Sequence, residues 1–205
     1  MVLTASMAIA AHIIYLLLWL SFGVMHSVLA SPSVRAILQP LFGRGLRLAY
    51  NLFAAVHIGL VIYGGRYLLG GDAVSLNLSA LTEQVLSGLM LLGAAIGLAA
   101  LTQYDLGRFA GITQLLKPAG EDVEEPLHLG GLHRFVRHPL YSGVYLYLWG
   151  SVRSEFDLLT ALYASAYLMI GSHFEERKLI DSHGDAYRRY KRQVPAVIPW
   201  RGRVL

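Results

Sequence analysis

The sequence predicts an all-α, polytopic membrane protein. About five transmembrane helices are expected, the last two forming a C-terminal helical hairpin followed by an amphipathic cytosolic tail. Three observations carry that expectation. Only 15% of the 205 residues are charged while 55% are hydrophobic. Soluble domains carry roughly 25% charged residues, so this chain is short of polar groups for a water-facing surface. Its apolar residues gather into five separate stretches. Its basic residues fall almost wholly in alternate connections: 15 of the 17 Lys and Arg lie in 31–47, 105–138 and 174–205. By the positive-inside rule those segments are cytoplasmic, the N-terminus is outside and the C-terminus is cytoplasmic. Arg66 and Arg153 are left on the outer side. The net charge of +4 is thus distributed for a membrane and not for nucleic acid. The chain has no cysteine, which excludes disulfides, thiolate nucleophiles and Cys-based metal sites.

The first stretch, 6–30, has no Lys or Arg before it. It lacks the basic leading region of a signal peptide and reads as a retained helix. Ser31 and Pro32 then supply an N-cap and a first helical residue, predicting a short amphipathic helix on the membrane surface. The second stretch is 48–69, with Gly70, Gly71 and Asp72 as its outer turn. The third is 83–104, where Gly93 and Gly97 in GAAIG form a small-xxx-small face for helix packing. That face also permits a dimer. The polar KPAGEDVEEP at 117–126 reads as an exposed loop or mobile lid. The fourth stretch, 139–151, is short for a span of about 20 residues. Only VRSE joins it to the fifth, 156–173, hence the hairpin. The tail keeps a helical pattern to about Ser182, and Gly184 is its expected stop. A second short helix places Tyr187 and Tyr190 on one face. Its interleaved basic residues suit anionic lipid headgroups.

Two clusters carry chemistry. In RFVRHPLYSG, 134–143, Pro139 restricts His138 to extended geometry and can start a helix. The free N–H groups of that helix end would face an anionic ligand, and Arg134 and Arg137 add fixed positive charge. Gly143 lets a ligand or a neighbouring helix come close. The plainer account of the arginines is snorkelling. In HFEERKL, Glu175 and Glu176 follow directly on the fifth stretch. Carboxylates at a membrane boundary are costly unless paired or used. They suit a cationic ligand, a ribose diol or an internal ion pair. The tight turn between the last two stretches brings both clusters to the same end, around a pocket suited to a zwitterionic, nucleotide-like cofactor.

RHPLYSG at 137–143, followed by EERKLIDSHGDAYRRYKRQVPAVIP at 175–199, resembles the integral-membrane methyltransferases of the isoprenylcysteine carboxyl methyltransferase and phospholipid methyltransferase superfamily. FGVMHSVLASPSVR and GRGLRLAYN within 22–51 look like the NnrU-like and methanethiol S-methyltransferase-like branch. The resemblance implies S-adenosylmethionine as cofactor, bound by Arg137, His138, Pro139, Tyr141, Gly143, Glu175 and Glu176, with Tyr187, Arg188 and Tyr190 closing over it. It divides a single integral-membrane domain into a helical scaffold with an acceptor tunnel (1–130) and a cofactor-binding hairpin and tail (131–205). His133 stands where members of the superfamily often have Tyr. The implied chemistry is in-line methyl transfer resting mostly on positioning and desolvation. Arg137, then Arg134, would hold an anionic acceptor. An amine acceptor would need Glu176 or His138 as base. The acceptor is expected to be small or lipid-borne, a carboxylate or thiol foremost, entering from the bilayer. His12, His26 and His57 lie in the apolar stretches. The plainer account is that they hydrogen-bond between helices; His26 and His57 are otherwise assigned to the acceptor tunnel, and no metal site is expected. Embedded histidines can also ligate haem, which leaves an NnrU-like haem-dependent isomerase or redox protein as an alternative reading. A non-catalytic membrane scaffold is another.

Overall fold

The computed structural model describes residues 2–70, 75–116 and 127–201. The expected lid at 117–126, and Gly71 and Asp72 of the expected outer turn, lie outside the described residues. In chain order the helices are α1 (Val2–Ala30), α2 (Pro32–Phe42), α3 (Leu46–Leu69), α4 (Ala80–Leu101), the short α5 (Leu106–Ala110) and α6 (Ile112–Leu116), α7 (Pro139–Gly150) and α8 (Glu155–Gln193). Single 3-10 turns stand at Gly43–Gly45 and Gly131–Arg134.

Among the described residues, three helical stretches are long and apolar enough to cross a bilayer: Met7–Ala30, Pro32–Leu69 and Ala80–Leu101. The fourth and fifth expected spans fall short of that measure. α7 has 12 residues, a rise of about 18 Å against a hydrocarbon core of roughly 30 Å. α8 is 39 residues long but turns strongly charged in its second half.

Local chemistry fixes the helix starts. Ser31 accepts from the Val34 N–H, with Pro32 in the first turn. Ser79 caps α4 by accepting from Thr82. Ser154 and Asp157 form a reciprocal capping box at the start of α8, satisfying two N–H groups that no helical carbonyl can reach.

The described residues fall into two compact units. The first contains α1, α2, α3, α5 and α6. Within it, α1 packs along α3. Ser21 Oγ lies 3.2 Å from His57 Nε2, and the Tyr50 hydroxyl lies 2.5 Å from His26 Nε2. Asn51 Nδ2 donates to the carbonyls of Phe109 (2.9 Å) and Ala110 (3.0 Å), tying α5 to α3.

The second unit contains α4, α7, α8 and the tail. Here α4 and α7 approach through glycine. A Cβ added at Gly143 would sit 2.6 Å from the Gly97 nitrogen, and one at Gly93 would sit 2.6 Å from the Gly143 carbonyl oxygen. At Gly93 the small-residue face of α4 is therefore packed against α7 of the same chain. The four residues 151–154 lead from α7 into α8. Arg153 in that turn donates to Ser87 Oγ of α4 at 2.9 Å. Trp149 Nε1 donates to Ser165 Oγ at 3.1 Å, joining α7 to α8.

Candidate functional site

α8 is not a straight rod. Gly184 adopts φ +54 and ψ −129, a backbone conformation that an L side chain adopts only under strain. The helix bends there. Lys191 would lie roughly 22 Å beyond Glu176 in an unbroken helix; instead its Nζ is 2.6 Å from Glu176 Oε2. The expected stop at Gly184 is thus a bend that returns the tail to the site. Tyr187, Tyr190 and Val194 form a buried cluster there, with Leu127, Leu179 and Ile180 packed against it.

Backbone pairing completes the return. The Arg137 N–H donates to the Pro195 carbonyl and the His138 N–H to the Ala196 carbonyl, both at 2.9 Å. Ser142 Oγ donates to the Val197 carbonyl at 2.6 Å. Pro139, buried at the first position of α7, has no N–H to leave unsatisfied.

Glu176 sits at the centre. It is 6% exposed and meets three cationic or potentially cationic groups. Arg137 reaches Oε1 through Nε (2.8 Å) and Nη2 (2.6 Å). His138 Nε2 is 3.1 Å from the same oxygen, and Lys191 takes the other. Burial alone would raise the Glu176 pKa. Hydrogen bonds from His138, Lys191 and Arg137, and the Arg137 charge, outweigh it and hold the group at about 2. Arg137 Nη1 also donates to the carbonyls of Lys191 (3.2 Å) and Val194. Four of its five N–H donors are thereby engaged. The structure makes Arg137 a tie between α7, α8 and the tail, with one donor left for a ligand. Both oxygens of the ionised carboxylate are thereby engaged by cationic partners.

Glu175 is set differently. Its side chain is 47% exposed, and Oε2 accepts from the Tyr141 hydroxyl at 2.9 Å. The Tyr141 ring stacks on His138, with centroids 5.2 Å apart and planes 10° from parallel. Tyr187 is buried, and its hydroxyl has no hydrogen-bond partner among the described residues. Burial and the Glu176 charge push its pKa up against the opposing pull of Arg137, so the phenol stays protonated and can donate. Tyr190, three residues on, donates to the His133 carbonyl at 2.6 Å. His133 is itself buried, and its ring meets Tyr104 and His128 edge-on. Burial, and then the neighbouring His128 and His138, lower its pKa to about 4, so it is neutral at physiological pH.

Beside this cluster lies an open cavity of about 430 Å³ lined by Arg137, Met169, Ile170, Ser172, His173, Phe174, Glu176 and Ala196. That volume lies in the range of small-molecule sites. One wall is charged and the other apolar. Met169, Ile170 and Phe174 are all more than half exposed, so the apolar wall opens outward along α8.

The structure therefore gathers Arg137, His138, Tyr141, Glu175 and Glu176 at one place, with Tyr187 and Tyr190 in the returning tail. It assigns Gly143 to helix packing against α4, the second of the two roles read for it. Arg134, in the 3-10 turn, is partly buried and does not line the cavity. Arg188 is exposed and paired with Asp185. His26 and His57 sit between α1 and α3 in the other unit. Lys191, His173 and the Met169–Phe174 wall escaped the sequence reading. Lys191 is brought in by the Gly184 bend; His173 offered its position two residues before the acidic pair.

Residues 13–152 match the family described as NnrU protein. The chain is 30% identical to methanethiol S-methyltransferase 1 of Bradyrhizobium diazoefficiens, covering 93% of this chain and 68% of that protein. It is also 30% identical to methanethiol S-methyltransferase 2 of the same organism, over 92% of this chain and 73% of the relative. With the methanethiol S-methyltransferase of Crocosphaera subtropica the identity is 28% over 89% and 72% respectively. No solved structure matches the chain.

Proposed function

From the premise that the chain belongs to the NnrU protein family, we propose that it is a membrane methyltransferase taking its methyl group from S-adenosylmethionine and giving it to a small thiol. The observation that carries this reading is the cavity itself, with an anchored Arg137–Glu176 pair on one wall and an apolar surface on the other. Kinship over most of the chain with proteins named methanethiol S-methyltransferases supports the acceptor class.

The residues fit a zwitterionic nucleoside cofactor. In the cavity lining Arg137 retains one N–H; outside that lining, Glu175 keeps a carboxylate oxygen available for a hydroxyl or ammonium group, and Tyr187 carries a buried hydroxyl without a partner among the described residues. His138 and Tyr141 form a flat stacked surface beside them. When bound, S-adenosylmethionine supplies a methyl group on a positively charged sulfur, activated for in-line displacement. The chain's own task is then placement. The Glu176 cluster fixes the Arg137 fork and ties the tail across the start of α7. Met169, Ile170 and Phe174 keep water from one side of the acceptor, which strengthens electrostatic interactions inside the cavity.

Detergent-purified protein incubated with methyl-labelled cofactor and, separately, methanethiol, a short carboxylate and a lipid extract tests the proposal. We expect label in the volatile thioether formed from the thiol. Transfer to no thiol, or label confined to a carboxyl ester or a lipid, overturns it.

A further inference from the structure

Resting on that reading, we infer that His173 is the proton acceptor that ionises the thiol. The thiolate is the nucleophile in thiol chemistry, and an alkanethiol reaches a cavity near neutral pH mostly protonated. Something in the cavity wall must take the proton, and the wall offers few groups. Arg137 is permanently cationic. Glu176 is ion-paired on both oxygens and, at about 2, far too acidic. Ser172 is weakly basic and already donates to the Met169 carbonyl at 2.8 Å. Met169, Ile170, Phe174 and Ala196 carry no ionisable group. His138 does not line the cavity; it is spoken for by Glu176 and stacked on Tyr141. That leaves His173, an exposed side chain in the cavity wall. Its ring touches Phe174 edge-on at 6.1 Å. Imidazole is the side chain whose ordinary titration falls near neutrality.

The charged groups around it are defined. Arg137 comes from the segment before α7. Glu176 lies on α8 with Lys191 of the returning tail on its far oxygen. Arg177, the residue after Glu176, lies one helical turn beyond His173, and the tail's own lining residue, Ala196, is uncharged. The step balances simply. An imidazole nitrogen takes the S–H proton. The thiolate electron pair forms the new S–C bond as the methyl–sulfonium bond breaks, its electrons staying on the departing thioether. The imidazolium returns its proton to water at the open side of the cavity.

Five readouts test His173→Ala and His173→Gln against the wild-type protein. For methanethiol at pH 7, kcat/KM falls at least about 100-fold, the ordinary worth of a general base. The loss is much smaller with an acidic aromatic thiol that is already ionised. The pH profile of the variants shifts to the alkaline side, following the thiol. In the absence of turnover, with the demethylated cofactor product bound, adding alkanethiol at neutral pH produces the ultraviolet absorbance of a thiolate in the wild type and not in the variants. Binding of that product, measured by calorimetry, stays unchanged. Wild-type kcat/KM in the variants, or an equal loss for alkyl and aromatic thiols with an unshifted pH profile, overturns the assignment. Those outcomes leave the thiol methyltransferase standing; a wild-type protein that methylates no thiol removes both.

Discussion

Replacing Glu176 by Gln removes the charge at the centre of the cluster while keeping the side chain's size. The structure sets the magnitude. The carboxyl is displaced from an ordinary 4.5 to about 2, which corresponds to roughly 3 kcal/mol at about 1.4 kcal/mol per pKa unit. Lys191 is 40% exposed, so water screens its share, and the expected loss is about 2 kcal/mol. The sign follows from a folded-state pKa below the unfolded one. The contribution is fully present above about 4.5 and disappears as pH falls through about 2. Thermal unfolding in detergent, followed by tryptophan fluorescence between pH 3 and 7, reads it out. For a chain of this length about 2 kcal/mol is a Tm difference of roughly 4–8 °C. The wild type should exceed Glu176→Gln by that amount from pH 7 down to about 4.5, and the gap should narrow below that. No gap at pH 7 would show that the ion pairs contribute nothing net. A gap independent of pH would show that the loss comes from packing and not from charge.

Two further substitutions test the geometry that builds the site. Gly143→Ala puts a methyl 2.6 Å from the Gly97 nitrogen, and such overpacking costs about 1–3 kcal/mol. A Cβ at Gly97 meets nothing within 4 Å, so Gly97→Ala should match the wild type in the same thermal scan; equal losses at both positions would refute the α4–α7 contact. Gly184→Ala forces a side chain into a positive-φ conformation at roughly 1–3 kcal/mol and should loosen the return of Lys191 to Glu176. Its Tm loss should therefore combine less than additively with that of Lys191→Met, and full additivity would separate the bend from the ion pair.

Composition and charge placement made the helical, membrane-spanning character legible, because both depend on side-chain type and not on contacts. The meeting of RHPLY with EER was legible for a related reason: a four-residue turn leaves the two ends little choice. Three features were hidden. The partnership of Lys191 with Glu176 depends on backbone angles at one glycine, and helical periodicity treats residues 15 positions apart as separated by four turns. The pairing of Arg137 and His138 with Pro195 and Ala196 uses main-chain atoms, which leave no trace in residue type beyond a proline-containing tail. Gly143 had two readings because a glycine signals close approach without saying of what; only the position of α4 decides it.

The placement of Arg137 explains why a greasy chain carries a buried ion cluster at all. A helix ends with carbonyls that no helical N–H can reach, and α8 ends at Gln193 beside the apolar core of the unit. Lys191 contributes one such carbonyl, and Val194 follows directly. Arg137 donates to both from one nitrogen while its Nε and other terminal nitrogen grip Glu176. One planar side chain thereby satisfies a helix end and a buried carboxylate together. An ammonium, a point charge on a flexible stem, does not span that arrangement. The tail's apolar contacts are few, chiefly Tyr187, Tyr190 and Val194 with their neighbours. Its hold on the start of α7 therefore depends on this arginine together with the main-chain bonds to Pro195 and Ala196 and the Ser142 bond to Val197, and Lys191 of that tail completes the pairing of Glu176 in the cavity wall.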